Sequence, residues 1–136
     1  MVGRPDYMLD SSVCIAILRN HPRLDGIPPT GECCLSRIVA AELWTGAEKC
    51  SRPELARAEV SDFLEQFPVL DFDDSAARAY GEIRAALEKR GRSIGPLDLL
   101  IAAHALSAAV TLVTGNDKEF RRVPGLKVLR WQASTK

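Results

Sequence analysis

Three acidic residues stand where local structure does not account for them. Glu42 follows Val39 by three residues and Ile38 by four, so it shares the apolar face of a predicted helix. Asp98 falls in the first turn of a helix that is apolar on nearly every side, and Asp10 ends a short apolar run. Neither Glu42 nor Asp98 has a Lys or Arg three or four residues away along the chain.

Carboxylates buried together need a cation, because desolvation and mutual repulsion raise their pKa values and cost several kcal/mol. Oxygen ligands without thiols or imidazoles suit Mg²⁺ or Mn²⁺ rather than Zn²⁺. Two of the three carboxylates would bind such an ion directly. A divalent ion activates water and neutralises charge on a phosphate, so the chemistry that these residues favour is phosphodiester hydrolysis.

Each acid also has an ordinary structural explanation. Asp10 would serve as a helix cap, and Asp98 would complement the positive end of a helix dipole. Glu42 would lean outward beside Trp44 or meet a distant Arg. The three acids are harder to explain together than singly.

The elements that must position these acids alternate between strands and helices. The connections are too long for hairpins, which predicts a three-layer α/β/α fold with a mostly parallel central sheet. Asp10, Asp98 and the turn after Thr114 then meet at the carboxyl edge of the sheet, where open α/β sheets bind ligands. The predicted strands are 6–10, 33–35, 67–72, 110–114 and 127–131. Three predicted helices have side-chain caps, at Ser11 or Ser12, at Ser36 and at Asp73 or Asp74, and two begin at Pro53 and Pro96. The first of these helices ends at Asn20-His21-Pro22.

Length and composition fit one domain spanning residues 1–136, since 46% of its 136 residues are hydrophobic and a core needs no disulfide or structural metal. No stretch approaches the roughly 20 apolar residues of a membrane span, and no signal peptide precedes the first strand, so a cytoplasmic protein is expected. The four cysteines include no C-x-x-C pair. We expect them to be buried free thiols.

The net charge of zero hides an asymmetry. Residues 1–75 carry 7 Lys and Arg against 13 Asp and Glu, whereas residues 76–136 carry 11 against 5. An acidic pocket beside a basic rim that holds a polyanion would produce this division. Solvated helix faces and loop ends would also produce it.

Four motifs in series resemble those of the PIN-domain ribonucleases, and within them the VapC toxins of bacterial toxin–antitoxin pairs. The motifs keep the family's order and approximate spacing from Met8 to Trp131. They read MLDSSVCI, AAELWTGAEK, IRAALEKRGRSIGPLDLLIAAHA and LVTGNDKEFRRVPGL.

The resemblance implies a role for each acidic position. Asp10 and Asp98 match the first and third acids, which are direct metal ligands in the family, and Glu42 matches the second, which assists. Thr114 and Asn116 match the family's T-x-(D/N) turn, which makes Asn116 the expected fourth position. Asp117 and Glu119 are neighbouring alternatives for it, and Ser12 stands where Asn is more usual.

The resemblance further implies an endoribonuclease that depends on Mg²⁺ or Mn²⁺, acts on structured RNA such as tRNA, and forms a homodimer. A cognate VapB antitoxin would lay a C-terminal segment across the acidic site and often insert an Arg there. Trp44 would anchor that antitoxin or pack between helices, and packing is favoured because Trp is mostly buried.

Other classes of protein fit less well. A haloacid-dehalogenase-type phosphatase needs a second Asp where Ser12 stands, and a receiver domain needs a late Lys that is not evident. A PIN fold that only binds RNA or a partner stays open, as does a housekeeping PIN nuclease. His104 and His21 are candidates for a general base, but a lone His in an apolar helix is more often a core residue.

Overall fold

β1 (Tyr7–Leu9) lies in the middle of a five-stranded sheet, with the order β3-β2-β1-β4-β5. Tyr7 is paired with Cys33 on one side and Thr111 on the other, and every pairing in the sheet is parallel. The structure, a computed structural model, describes residues 4–19 and 26–131. The other strands are β2 (Cys33–Ser36), β3 (Val69–Leu70), β4 (Thr111–Thr114) and β5 (Val128–Arg130).

Helices connect these strands, so the predicted three-layer α/β/α architecture is confirmed. A short 3₁₀ turn at Thr30–Glu32 precedes β2. The helices are α1 (Ser11–Leu18), α2 (Arg37–Lys49), α3 (Pro53–Leu64), α4 (Asp74–Lys89), α5 (Pro96–Ser107) and α6 (Asp117–Phe120).

The structure decides between the two predictions for the cap of α1, Asp10 and Ser11 or Ser12. Asp10, rather than Ser11 or Ser12, is the N-cap of α1, and its side chain accepts from the Ser11 amide. Helix α1 ends at Leu18, and the predicted terminator at residues 20–22 lies outside the described residues. The other side-chain caps are as predicted: Ser36 caps α2, and Asp73 caps α4.

β3 is shorter than the predicted strand 67–72. Phe67 donates its amide to Leu64, so it completes the end of α3, and Pro68 has no N–H to give to a ladder. The Pro68 carbonyl still accepts from the Leu35 amide, and the residues paired in register with β2 are Val69 and Leu70. Helix α6 was not predicted, because a segment of four residues is too short to show helical periodicity.

α5 lies against the sheet, with five of its apolar side chains buried, as its sequence predicted: Leu99, Ile101, Ala102, Ala103 and Ala105. Burial of Trp44 between helices, the favoured of its two roles, is not found, since 37% of that residue is exposed. Within the described ranges, no helix is long and apolar enough to cross a membrane.

The thiol prediction holds for three of the four cysteines. Cys14, Cys33 and Cys34 are free and buried, whereas Cys50, directly after α2, is exposed because the chain leaves the core there. Burial raises the pKa of Cys33 to about 11 and that of Cys34 to about 12.

Candidate metal centre

Asp10 is fixed at the carboxyl end of β1 by the strand and by the start of α1. Its amide donates to Val113, extending the pairing with β4 by one residue, and the residue is only 4% exposed. Oδ1 accepts from the Ser11 amide at 2.8 Å, and Oδ2 accepts from Thr114 Oγ1 at 2.6 Å. Both carboxylate oxygens therefore have defined positions.

The turn after β4 is joined to the same carboxylate by a short chain of hydrogen bonds. Ser12 Oγ donates to Asp10 Oδ2 at 3.3 Å and accepts from the Gly115 amide at 3.1 Å. Thr114 Oγ1 accepts from the Asn116 amide at 3.0 Å. A Cβ at Gly115 would lie 3.2 Å from the carbonyl oxygen of Trp131, so glycine allows this close approach.

Glu42 extends from α2 toward Asp10. The burial of Glu42 and the negative charge of Asp10 raise its pKa, while a hydrogen bond with Ser11 opposes the rise. Its Oε1 is a buried oxygen without a hydrogen-bond partner. Such an oxygen is costly unless another group or an ion satisfies it.

Asp98, in the first turn of α5, completes the set and interacts with a fourth acid. Burial first, then a hydrogen bond with Glu119 and the charges of Asp10, Glu119 and Glu42, raise the pKa of Asp98 to about 7. This hydrogen bond requires a proton that the Asp98 and Glu119 carboxyl groups share. Four carboxylates from distant parts of the chain thus act on one another.

The structure separates the three candidates for the fourth position, Asn116, Asp117 and Glu119. Asn116 lies beside Glu119, to which its Nδ2 donates at 3.5 Å, but Glu119 is the residue that contacts Asp98. Asp117 Oδ2 lies 2.9 Å from Arg121 Nε, and this ion pair lowers the pKa of Asp117. The sequence predicted all three residues as candidates. Their side chains point in different directions because of α6, a helix that the sequence did not predict.

A small divalent cation would offset the repulsion among these four carboxylates. The groups that raise the pKa values of Glu42 and Asp98 include other carboxylates and no cation, and one Glu42 oxygen is unsatisfied. In the described part of the chain, no three His, Cys, Asp or Glu side chains are close enough together to enclose an ion by themselves. Mg²⁺ needs only one or two carboxylates, because it keeps several of its waters.

The surroundings of His104 are those of a core residue. It is buried on α5, its Nδ1 lies 2.7 Å from Ser36 Oγ, and its ring meets the edge of Phe72. Burial lowers its pKa, which favours the neutral ring. The interpretation of His104 as a satisfied core residue is confirmed; His21 lies outside the described residues.

A parallel sheet with carboxylates gathered at its carboxyl edge defines an α/β protein with an acidic ligand site. The family model for the PIN domain matches residues 7–126, and the chain belongs to this family.

Individual relatives are similar over nearly their whole length. The tRNA(fMet)-specific endonuclease VapC of Shigella flexneri is 41% identical over 128 residues, covering 92% of this chain and 97% of the relative. Ribonuclease VapC2 of Rickettsia felis is 38% identical over 130 residues, with the same coverage. In the crystal structure of DNA-bound VapBC from Salmonella typhimurium, the matching chain is 40% identical with a TM-score of 0.87, and the match covers 94% of this chain and 99% of that one.

Proposed function

We propose that this protein is a VapC-type endoribonuclease toxin that hydrolyses phosphodiester bonds in RNA with Mg²⁺ or Mn²⁺ at the carboxylate site. The observation that carries the proposal is the convergence of Asp10, Glu42, Asp98 and Glu119, with a raised pKa at Glu42 and at Asp98. Relatives at 41% and 38% identity bear ribonuclease names, and the whole chain from residue 1 to 136 would form one PIN domain.

Each residue has a task that its geometry supports. Asp10 and Asp98 would hold the cation, since one is fixed by Thr114 and Ser11 and the other has a pKa that an adjacent cation would lower. Glu42 and Glu119 would orient water around it. A divalent cation supplies activation of water and neutralisation of phosphate charge. Ser12 and Thr114 would position Asp10, and Asn116 would position Glu119.

The substrate would be structured RNA, and tRNA is the first to test because the Shigella flexneri relative is named for it. A cytoplasmic location follows from that substrate. A homodimer is part of the proposal and would be measured as the molar mass in solution.

A VapB-type antitoxin would neutralise the protein. Solved structures at 40% and 34% identity are VapBC complexes from Salmonella typhimurium and Rickettsia felis. A groove of about 240 Å³ between α1, α2 and α3 would receive the antitoxin segment, with Glu42 open to an inserted Arg. Its apolar lining includes Ile15, Leu18, Leu43, Ala47, Ala56 and Val60.

The test is cleavage of bulk tRNA with Mg²⁺, with Mn²⁺ and with chelator. Asp98→Asn and Asp10→Asn should each reduce the rate by roughly 100-fold or more without unfolding the protein, because each removes a charged ligand. Asp62→Asn is the matched control, since Asp62 is an exposed acid on α3. Cleavage that survives in chelator, or in both site variants, would overturn the metal-dependent mechanism, and tRNA binding without cleavage by the wild type would favour a binding module.

A further inference from the structure

A cleft of about 390 Å³ lies between the end of α4 and the α6 region, and its lining is strongly basic. Five of its seven lining residues are cations, and none is acidic. The cationic residues are Arg90, Arg92, Lys118, Arg121 and Arg122. We call this the basic cleft.

Most of the cations that line the basic cleft have no acidic partner among the described residues. Across the described residues, Arg37, Arg57, Arg78 and Arg84 each pair with an Asp or Glu. In the basic cleft only Arg121 has such a partner, Asp117. The four cations without acidic partners repel one another, and a bound polyanion would relieve that repulsion.

The basic cleft adjoins the carboxylate site through α6. Lys118 lines the cleft, and the next residue, Glu119, contacts Asp98. Adjacent Cα atoms are about 3.8 Å apart, so one helical turn presents a cation to the cleft and an acid to the site. Arg122 Nη1 donates to the carbonyl of Ser93 at 3.1 Å, which joins the loop before α5 to the end of α6.

We infer that the basic cleft binds the phosphates of the RNA segment that flanks the cleaved bond. A polyanion that approaches four carboxylates is repelled, and cations one residue away offset that repulsion. This inference rests on the proposed function, because it assigns a place to the substrate of that same site. The RNA would lie along the cleft while the carboxylates act on a neighbouring phosphodiester.

The test compares two triple variants that remove the same net charge. The cleft variant carries Arg90→Gln, Arg92→Gln and Lys118→Gln, three exposed residues without acidic partners in the described chain. The control carries Arg4→Gln, Arg57→Gln and Arg78→Gln. Arg78 lies about 18 Å from Arg90 along the axis of α4.

Binding of labelled bulk tRNA is measured over a salt series, in chelator and in an Asp98→Asn background that does not cleave. The cleft variant should bind about tenfold more weakly at low salt, and its plot of log K against log salt should be shallower by about 2, because three phosphate contacts are lost. The control variant should keep the parent slope. A charge-conserving triple variant, Arg90→Lys, Arg92→Lys and Lys118→Arg, should also keep the parent slope. Thermal unfolding checks that every variant is folded.

Equal weakening in both triple variants, or in neither, would overturn the assignment, as would cleft-dependent binding of duplex DNA but not of tRNA. In the cleaving background, kcat/KM of the cleft variant should fall mainly through KM. If the wild type binds tRNA through the cleft but never cleaves it, the nuclease function fails while the cleft assignment stands. If the wild type cleaves tRNA and the cleft variant keeps its KM and salt slope, the cleft assignment fails alone.

Discussion

Thr114 Oγ1 donates a hydrogen bond of 2.6 Å to Asp10 Oδ2, joining residues 104 positions apart at the ends of adjacent parallel strands. The same hydroxyl accepts from the Asn116 amide, so it sets both the first acid and the start of the α6 turn. Both residues are buried, and the bond is charge-assisted. One hydroxyl thus aligns the two loops that supply the carboxylate site.

Replacing that hydroxyl should destabilise the protein and slow cleavage. Thr114→Val keeps the shape but leaves Asp10 and the Asn116 amide each short of a partner, which should cost about 1–3 kcal/mol in the free energy of unfolding. Chemical denaturation measures the loss. Thr114→Ser is the matched control and should recover most of both properties; equal losses in the two variants would show that packing, not the hydroxyl, matters.

Glu119 rather than Asn116 should be the fourth acid of the site. Glu119→Gln keeps the size but removes a carboxylate beside Asp98, so the cleavage rate should fall roughly 10- to 100-fold. Asn116→Ala and Asp117→Asn should have much smaller effects, because Asn116 makes a long contact and Asp117 faces Arg121. A rate loss in Asn116→Ala as large as that in Glu119→Gln would contradict this assignment.

The metal-free protein should lose stability as pH rises, because the pKa of Asp98 is raised from 3.8 to about 7 on folding. Between these values the folded state holds a proton that the unfolded state has released, so this contribution is present at low pH and disappears toward pH 7. Since Asp98 is only half-buried, solvent screening reduces the effect to about 1–2 kcal/mol.

The measurement is the free energy of unfolding in chelator at several pH values, for the wild type and for Asp98→Asn. The wild type should become less stable relative to the variant as pH rises, and Mg²⁺ should stabilise only the wild type at high pH. A difference that does not change with pH would show that Asp98 ionises normally.

His104 should contribute to stability rather than to chemistry. His104→Ala removes the partner of Ser36 and leaves a small cavity, which should cost about 2–3 kcal/mol while cleavage per folded molecule is retained. Thermal unfolding and the rate of tRNA cleavage are measured side by side. A rate loss larger than the folded fraction explains would give His104 a part in the reaction.

Cys50 should be the one cysteine that a thiol reagent modifies rapidly in the native protein. It is exposed, whereas Cys14, Cys33 and Cys34 are buried and burial raises their pKa values. Thiol titration should count one fast group in buffer and four in denaturant, and Cys50→Ser should remove the fast group. More than one fast thiol would mean that the core opens readily.

The sequence by itself determined the architecture and three of the acids. Alternating strands and helices predicted the parallel sheet, and the lack of cationic neighbours marked Glu42 and Asp98, since helical spacing of three and four residues is visible in the sequence. Strand ends in a parallel sheet meet at one edge, which placed Asp10 with them.

Only the tertiary structure decided what each candidate for the fourth position contacts and which side chains remain exposed. Helix α6 is too short to show helical periodicity in the sequence. In its single turn Glu119 contacts Asp98, Asp117 pairs with Arg121, and Lys118 lines the basic cleft. The exposure of Trp44 and Cys50 depends on how α2 lies against its neighbours. Contacts between segments far apart in the chain fix these features, and no local pattern encodes them.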